Sequence, residues 1–323
     1  MKHIIPILFL LLLIGCPKPD EKLDPAICED GYHPCGYESQ ECCLDTSSHS
    51  FSYQTYSFGQ YGSYFHDVFV INENDIWAVG KVIIEDPDSS YNGTGEELFN
   101  AAHWDGLNWE LLRAVRPGGH ARELNAVYAF NSNDVWFGEG GLPLHWDGEQ
   151  FYMFSPLLDE HPGQPSIYAI WGPSASEVYF VGRGGSITTY DGSRFTELYS
   201  GTSENLIDIS GAIDGSSTYC IGIGNSLGIP SVILQQQGNS WTTIYSTEEY
   251  LPQDNDYGYP LNVAIRDDIA YFSTMAGLWK YNIDTEESIF VSREDYSPIR
   301  WFHTHGMVVR SPVRRQTNSV HLI

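Results

Sequence analysis

Short runs in which apolar and polar residues alternate, each closed by Asn, Asp or Gly, recur from about residue 64 to the C-terminus. A period of two with turn residues at the ends reads as a β-strand. The runs are also copies of one another. Residues 125–151, NAVYAFNSNDVWFGEGGLPLHWDGEQF, align with 166–195, SIYAIWGPSASEVYFVGRGGSITTYDGSRF. Each copy opens on a strand containing Tyr-Ala, then has a polar turn and a second strand at Asp134-Val135-Trp136 or Glu177-Val178-Tyr179. A glycine pair follows, Gly140-Gly141 or Gly184-Gly185, and then an aromatic-Asp-Gly unit, Trp146-Asp147-Gly148 or Tyr190-Asp191-Gly192. Phe151 or Phe195 comes three residues after that last glycine. An earlier copy holds Trp77, Trp104-Asp105-Gly106 and Trp109; weaker copies cover 207–241 and 262–282, and a sixth begins near Ile299.

The spacing has a physical reading. Asp-Gly between alternating runs marks a tight hairpin, because glycine accepts positive φ without penalty. Each copy therefore predicts four short strands joined by turns. Such a sheet has two faces to cover and two open edges, so it needs neighbours. The aromatic-Asp-Gly units at Trp104, Trp146 and Tyr190 are 42 and 44 residues apart. Four strands at that period predict an all-β fold, a β-propeller. The copies give six blades of four antiparallel strands, with seven as the alternative. The sixth copy ends at SVHLI, about one strand short, and SFSYQTYSF at 50–58 is expected to supply that strand and close the ring. Residues 81–98 read as a loop inserted in the first blade.

The motif resembles repeats of exported bacterial β-propellers of the form NDVWAVG…HWDGxxW, in the style of kelch and Asp-box propellers, over roughly residues 64–323. Propeller hydrolases such as sialidases resemble this fold class, but their arginine triad and tyrosine–glutamate pair do not map onto the sequence. Phosphate-loop, nucleophile-elbow and zinc-protease motifs are absent from it as well. No catalytic residue is assigned.

The N-terminus changes the picture by adding a compartment. Met1-Lys2-His3, an apolar run from Ile4 to Ile14, and Gly15-Cys16 form an export signal too short to span a bilayer, which takes about 20 residues. LIGC resembles the lipobox of bacterial lipoproteins. The resemblance implies cleavage after Gly15 and acylation of Cys16, with diacylglyceryl and palmitate-type chains as the anchor. Residues 1–15 are then the signal peptide and 16–27 a polar, lipidated tether. Residues 28–49 form a small segment stapled by disulfides among Cys28, Cys35, Cys42 and Cys43, and 50–323 the propeller. Pro17 in place of aspartate favours the outer membrane or cell surface over the inner membrane, by family analogy.

Charge narrows the partners. The chain carries 42 acidic and 16 basic residues, a net of −26, which repels phosphate backbones and disfavours nucleic acid. Asp86, Asp88, Ser90, Asn92 and Glu97 have spacings like a calcium loop, but Tyr91 stands where glycine is needed, and a solvated acidic loop is the plainer reading. Asp254 and Asp256 are weaker still. His303 and His305 share one side of a strand without a third ligand. Arg310, Arg314 and Arg315 form a basic cluster at the C-terminal edge. His103 and His145, each before Trp-Asp-Gly, read as structural, and Trp77, Trp104, Trp109 and Trp136 as inter-blade core. The expected function is a membrane-anchored module that binds protein or glycan at one end of the ring. A carbohydrate-active enzyme using loop carboxylates and an envelope assembly factor are the alternatives. No cofactor is expected, calcium aside.

Overall fold

The computed structural model describes residues 32–34, 42–44, 54–87, 95–154, 166–212, 218–226, 229–238, 240–247, 260–266, 269–274, 277–292 and 320–322. Strands β1 (Tyr32–Pro34) and β2 (Cys42–Leu44) pair antiparallel, Cys42 opposite Pro34 and Cys43 opposite His33. After β3 (Tyr56–Phe58) come five four-stranded antiparallel meanders. Sheet one is β4 (Tyr64–Asn72), β5 (Asp75–Glu85), β6 (Glu96–Trp104) and β7 (Trp109–Leu112). Sheet two is β8 (Ala126–Asn131), β9 (Asp134–Glu139), β10 (Leu142–Trp146) and β11 (Phe151–Met153). Sheet three is β12 (Ile167–Ser174), β13 (Glu177–Gly182), β14 (Ile187–Tyr190) and β15 (Phe195–Leu198), with a 3-10 turn at Arg183–Gly185. Sheet four is β16 (Asn205–Gly211), β17 (Thr218–Ser226), β18 (Ile229–Gln237) and β19 (Ser240–Thr247). Sheet five is β20 (Pro260–Arg266), β21 (Ile269–Thr274), β22 (Gly277–Asn282) and β23 (Ser288–Ser292). The last strand, β24 (Val320–Leu322), pairs with β3, Val320 opposite Phe58 and Leu322 opposite Tyr56.

The alternation seen in the sequence decides what each face meets. In sheet one, Val68, Ile76, Ala78, Ala102 and Trp104 share a buried cluster with Phe58, and Tyr56 packs against it. Their neighbours Phe69, Trp77, Val79 and Ala101 belong instead to the core shared with sheets two, three and four. Aromatic pairs carry the stacking from sheet to sheet. Trp77 meets Phe137 at 5.4 Å, Trp136 meets Phe180 at 5.4 Å, Tyr179 meets Trp241 at 6.3 Å, and Tyr219 meets Phe272 at 6.0 Å. The first strands β4, β8, β12, β16 and β20 lie side by side in order, and β24 lies against β4.

Hydrogen bonds tie those first strands together. Register shifts precede Asp67 in β4 and Asp208 in β16. There each carboxylate accepts from the next residue's N–H and from the neighbouring sheet: Val127 N–H to Asp67 and Val263 N–H to Asp208, both 2.8 Å. The Tyr128 hydroxyl donates to the Gly172 carbonyl at 2.8 Å, joining sheets two and three.

Residues 81–98 depart from the expectation of a plain inserted loop. β5 runs on to Glu85 and β6 starts at Glu96, with Glu85 opposite Glu96, so both ends of the insertion, 81–85 and 96–98, are paired strand that lengthens the hairpin. Ile83 and Ile84 explain this, because apolar β-branched residues prolong the alternation past Gly80. Cys16, Cys28, Cys35, Asp88, Ser90, Asn92, Asp254, Asp256, His303, His305, Arg310, Arg314 and Arg315 lie outside the described residues.

Candidate functional site

A four-stranded meander has two unlike ends. The turns between its first and second strands, and between its third and fourth, meet at one end. The second-to-third turn and the connection to the next sheet meet at the other.

At the first end the repeat's signature residues are consumed in building turns. Asp105, Asp147 and Asp191 each accept the backbone N–H two and three residues on, at 2.7–2.9 Å. Those N–H donors hold all three carboxyls below the usual carboxylate range. Gly106, Gly148 and Gly192 have φ of 91°, 94° and 92°. A Cβ on Gly106 would also stand 2.7 Å from Asn74 Oδ1, so glycine is required twice over. The turns span four residues, Asp105 N–H bonding Asn108 C=O, rather than the two-residue hairpin that Asp-Gly suggests. His103 bonds Asp75 and His145 bonds Asp134, both at 2.8 Å. Their rings stack on Trp77 and Trp136 at 4.3 and 4.2 Å. Burial raises the Asp75 carboxyl, but the bonds from His103, Ser132 and Trp77 more than offset it, and the net shift is downward. Trp77, Trp104 and Trp136 are buried; Trp146 packs on Phe151 and Tyr190 on Phe195. Sheets one to three bear Glu73, Asp75, Asp105, Asp134, Asp147, Glu149, Glu177 and Asp191 here, against one cation, Arg194.

The opposite end is different chemically. Residues 111–122, LLRAVRPGGHAR, contain three arginines and a histidine and no acid, in a chain with far more acids than bases. Most of this stretch connects β7 to β8. Its ends are fixed by Asn100, which is fully buried on β6. Asn100 Nδ2 donates to Ala114 C=O (3.0 Å) and Arg122 C=O (2.8 Å), and Oδ1 accepts Ala114 N–H (2.8 Å). Leu124 N–H and Asn125 N–H then bond Gly80 C=O and Gly138 C=O. Arg113, Arg116, His120 and Arg122 are exposed on this braced connection, with Lys81 within β5 opposite Tyr64 and Arg183 on the second-to-third turn of sheet three.

Three local arrangements matter. Arg113 pairs with Glu97 and lies 5.1 Å over the Phe99 ring. Tyr64 donates to Glu123 at 2.7 Å, and His66 contacts the other oxygen of that carboxylate at 2.5 Å. Burial, that hydrogen bond and the Glu123 charge push the Tyr64 phenol up to about 12. Burial raises Glu123, yet the bonds from Tyr64 and His66 and the charge of Lys81 bring it below its ordinary value. Glu139, on β9, is 7 % exposed, with Arg122 Nε 3.9 Å from Oε1 and no hydrogen-bond partner for Oε2 among the described residues. Burial pushes its pKa up, against the pull of Arg122 and Arg116.

Exposed guanidinium groups on a fixed backbone suit carboxylate recognition, since each offers a planar fork of donors. The sequence alone drew attention only to the basic cluster Arg310, Arg314 and Arg315, read as a solvated C-terminal edge, and not to this one; the signal available was the acid-free stretch 111–122. Of the calcium-loop candidates, Glu97 is engaged by Arg113, and Asp86 N–H bonds Gly95 C=O. No group of three or more His, Cys, Asp or Glu side chains among the described residues is close enough to hold a metal ion.

Successive meanders stacked face to face, with their first strands adjacent, define a β-propeller. No family model matches the sequence, and no curated protein matches it. Among solved structures, the chain is similar to YCF48 bound to a D1 peptide, at 15% identity and a TM-score of 0.51, covering 76% of this chain and 72% of that one. It is also similar to the computationally designed Ika8 protein, at 13% identity and a TM-score of 0.45, covering 80% and 70%.

Proposed function

We propose that this chain is an exported, lipid-anchored β-propeller of six blades that binds a protein partner without transforming it. Its binding surface is the arginine-bearing connection 113–122, at the end of sheets one to three opposite the Asp-Gly turns, and it engages an acidic segment of the partner. The carrying observation is the connection 113–124, tied down at both ends by buried Asn100, with exposed Arg116 and Arg122. A rigid backbone presenting guanidinium groups loses little entropy on binding. The D1 peptide in the YCF48 structure is a precedent for a peptide ligand on this fold. Pairing of β3 with β24 supports closure of the ring by the N-terminal strand, with the C-terminal segment completing a sixth blade.

A photo-activated cross-linker at position 116 is expected to trap one partner of fixed mass in the native envelope. The same group at Glu149, on the acidic end, should trap none, and Arg122→Glu should cut the yield at 116 by about tenfold, the equivalent of about 1.4 kcal/mol. Equal trapping from both ends would refute the assignment. The anchor is tested separately. Cys16→Ser is expected to move the protein wholly into the soluble fraction with loss of the acyl mass, and unchanged membrane retention would remove the lipid from the account.

The Tyr64–Glu123 pair favours one second reading, a carbohydrate-active enzyme, because a phenol beside a carboxylate is the nucleophile arrangement of sialidases, an exception to the two carboxyl groups of most glycoside hydrolases. Two observations weigh against it. Glu123 is divided between Tyr64 and His66, and Arg113 is committed to Glu97, so the arginines do not converge on one carboxylate. Glycan turnover abolished by Glu123→Gln would overturn the binding reading.

A further inference from the structure

In the strong repeats, the aromatic ending the third strand faces another opening the fourth: Trp104 with Trp109, Trp146 with Phe151, Tyr190 with Phe195. In sheets one and three the fourth-strand ring fills the gap to the preceding element. Trp109 lies 5.7 Å from Phe58 and 6.0 Å from Tyr56 on β3, and Phe195 lies 5.3 Å from Phe154 and 6.3 Å from Trp136 of sheet two. Sheet five keeps the third-strand ring, Tyr281, but its fourth-strand partner is Ser288, which is exposed. The gap toward sheet four is correspondingly open. A cleft of about 370 Å³ lies there, lined by Ile233, Ile244 and Tyr245 of sheet four and by Phe272, Tyr281 and Glu286 of sheet five. Phe272 and Tyr281 occupy the places of Phe180 and Tyr190, the residues against which Phe195 packs in sheet three at 5.9 and 4.7 Å.

We infer that this cleft is a second binding site, separate from the arginine-bearing connection, and that it accepts an aromatic side chain of a partner protein flanked by a basic residue. The shape follows from the repeat, since the space is the one a ring occupies elsewhere in the same fold. The volume falls in the range of small-ligand sites, about 300–1,000 Å³. The charge preference follows from exposed Glu286 at the cleft and the net charge of −26, both of which attract a cation.

The test uses the full chain and three labelled blocked tripeptides, Lys-Trp-Lys, Glu-Trp-Glu and Lys-Ala-Lys, followed by fluorescence anisotropy. Lys-Trp-Lys should bind at least about tenfold more tightly than either of the others. Ser288→Phe should restore the repeat's ring, abolish that binding and leave the melting temperature equal or higher. Ser288→Leu serves the same purpose if the phenylalanine variant does not fold. Glu286→Gln should narrow the gap between Lys-Trp-Lys and Glu-Trp-Glu. The inference is overturned if the three peptides bind alike, or if Ser288→Phe and Ser288→Leu leave Lys-Trp-Lys binding intact. It is equally overturned if a methyl glycoside takes the cleft in place of the peptide, or if the protein is a dimer that Ser288→Phe dissociates. Loss of cross-linking at position 116 bears on none of these outcomes.

Discussion

Deleting residues 50–58 is expected to lower the melting temperature by about 15 °C or more, or to leave the chain unfolded. The reason lies in sheet one. Its face bearing Val68, Ile76, Ala78, Ala102 and Trp104 is covered by β3, whose Phe58 is 9 % exposed. Tyr56 lies 5.7 Å from Trp104, and Phe58 lies 5.5 Å from Phe65 and 5.7 Å from Trp109. Removing one buried phenylalanine costs about 3–5 kcal/mol, so Phe58→Ala alone should shift the transition by about 6–20 °C in a domain of this size. The deletion adds the loss of Tyr56 and of the β3–β24 ladder, and it exposes a sheet edge. An unaltered melting temperature in both variants would show that β3 merely rests on sheet one, and closure through it would then have to be abandoned.

The β3 segment was legible in the sequence because SFSYQTYSF alternates aromatic and polar residues beside the first repeat. The repeat frame was legible for the same kind of reason. Asp105, Asp147 and Asp191 precede glycines that need positive φ, and a local hydrogen-bonded turn leaves a local signature. His103 and His145 gave themselves away by occupying one register. The site is less legible because its residues are related through space. Asn100 holds Ala114 and Arg122 across 14 and 22 residues, and Glu123 meets Tyr64 across 59. None of these pairs lies in a periodic position. The cleft beside Ser288 is an intermediate case. It shows as a departure from the repeat, but only once strand register makes Ser288 the counterpart of Phe195. Residues that repeat describe the frame, and residues that break the repeat mark where the frame is put to use.

The second large effect is expected from Asn100→Leu, which keeps the branching and heavy-atom count of the side chain and removes all three hydrogen bonds. Ala114, itself fully buried, loses partners for both its N–H and its C=O, and Arg122 C=O loses a third. Each buried polar group left unpaired costs about 1–3 kcal/mol, so about 4 kcal/mol in total is expected, a fall of about 8–16 °C. Asn100→Asp should fare no better, because its second oxygen would confront the Ala114 and Arg122 carbonyls that the amide now serves. The damage should also be local before it is global. Trypsin is expected to cleave after Arg113 or Arg122 at temperatures where the wild-type connection resists, since the brace that fixes both ends is gone. Cross-linking from position 116 should fall with it while the other sheets stay folded. If Asn100→Leu melts within about 1 °C of the wild type and resists trypsin equally, the connection is held by Leu124 and Asn125 alone. The arginines would then stand on a strand of chain with no platform beneath it.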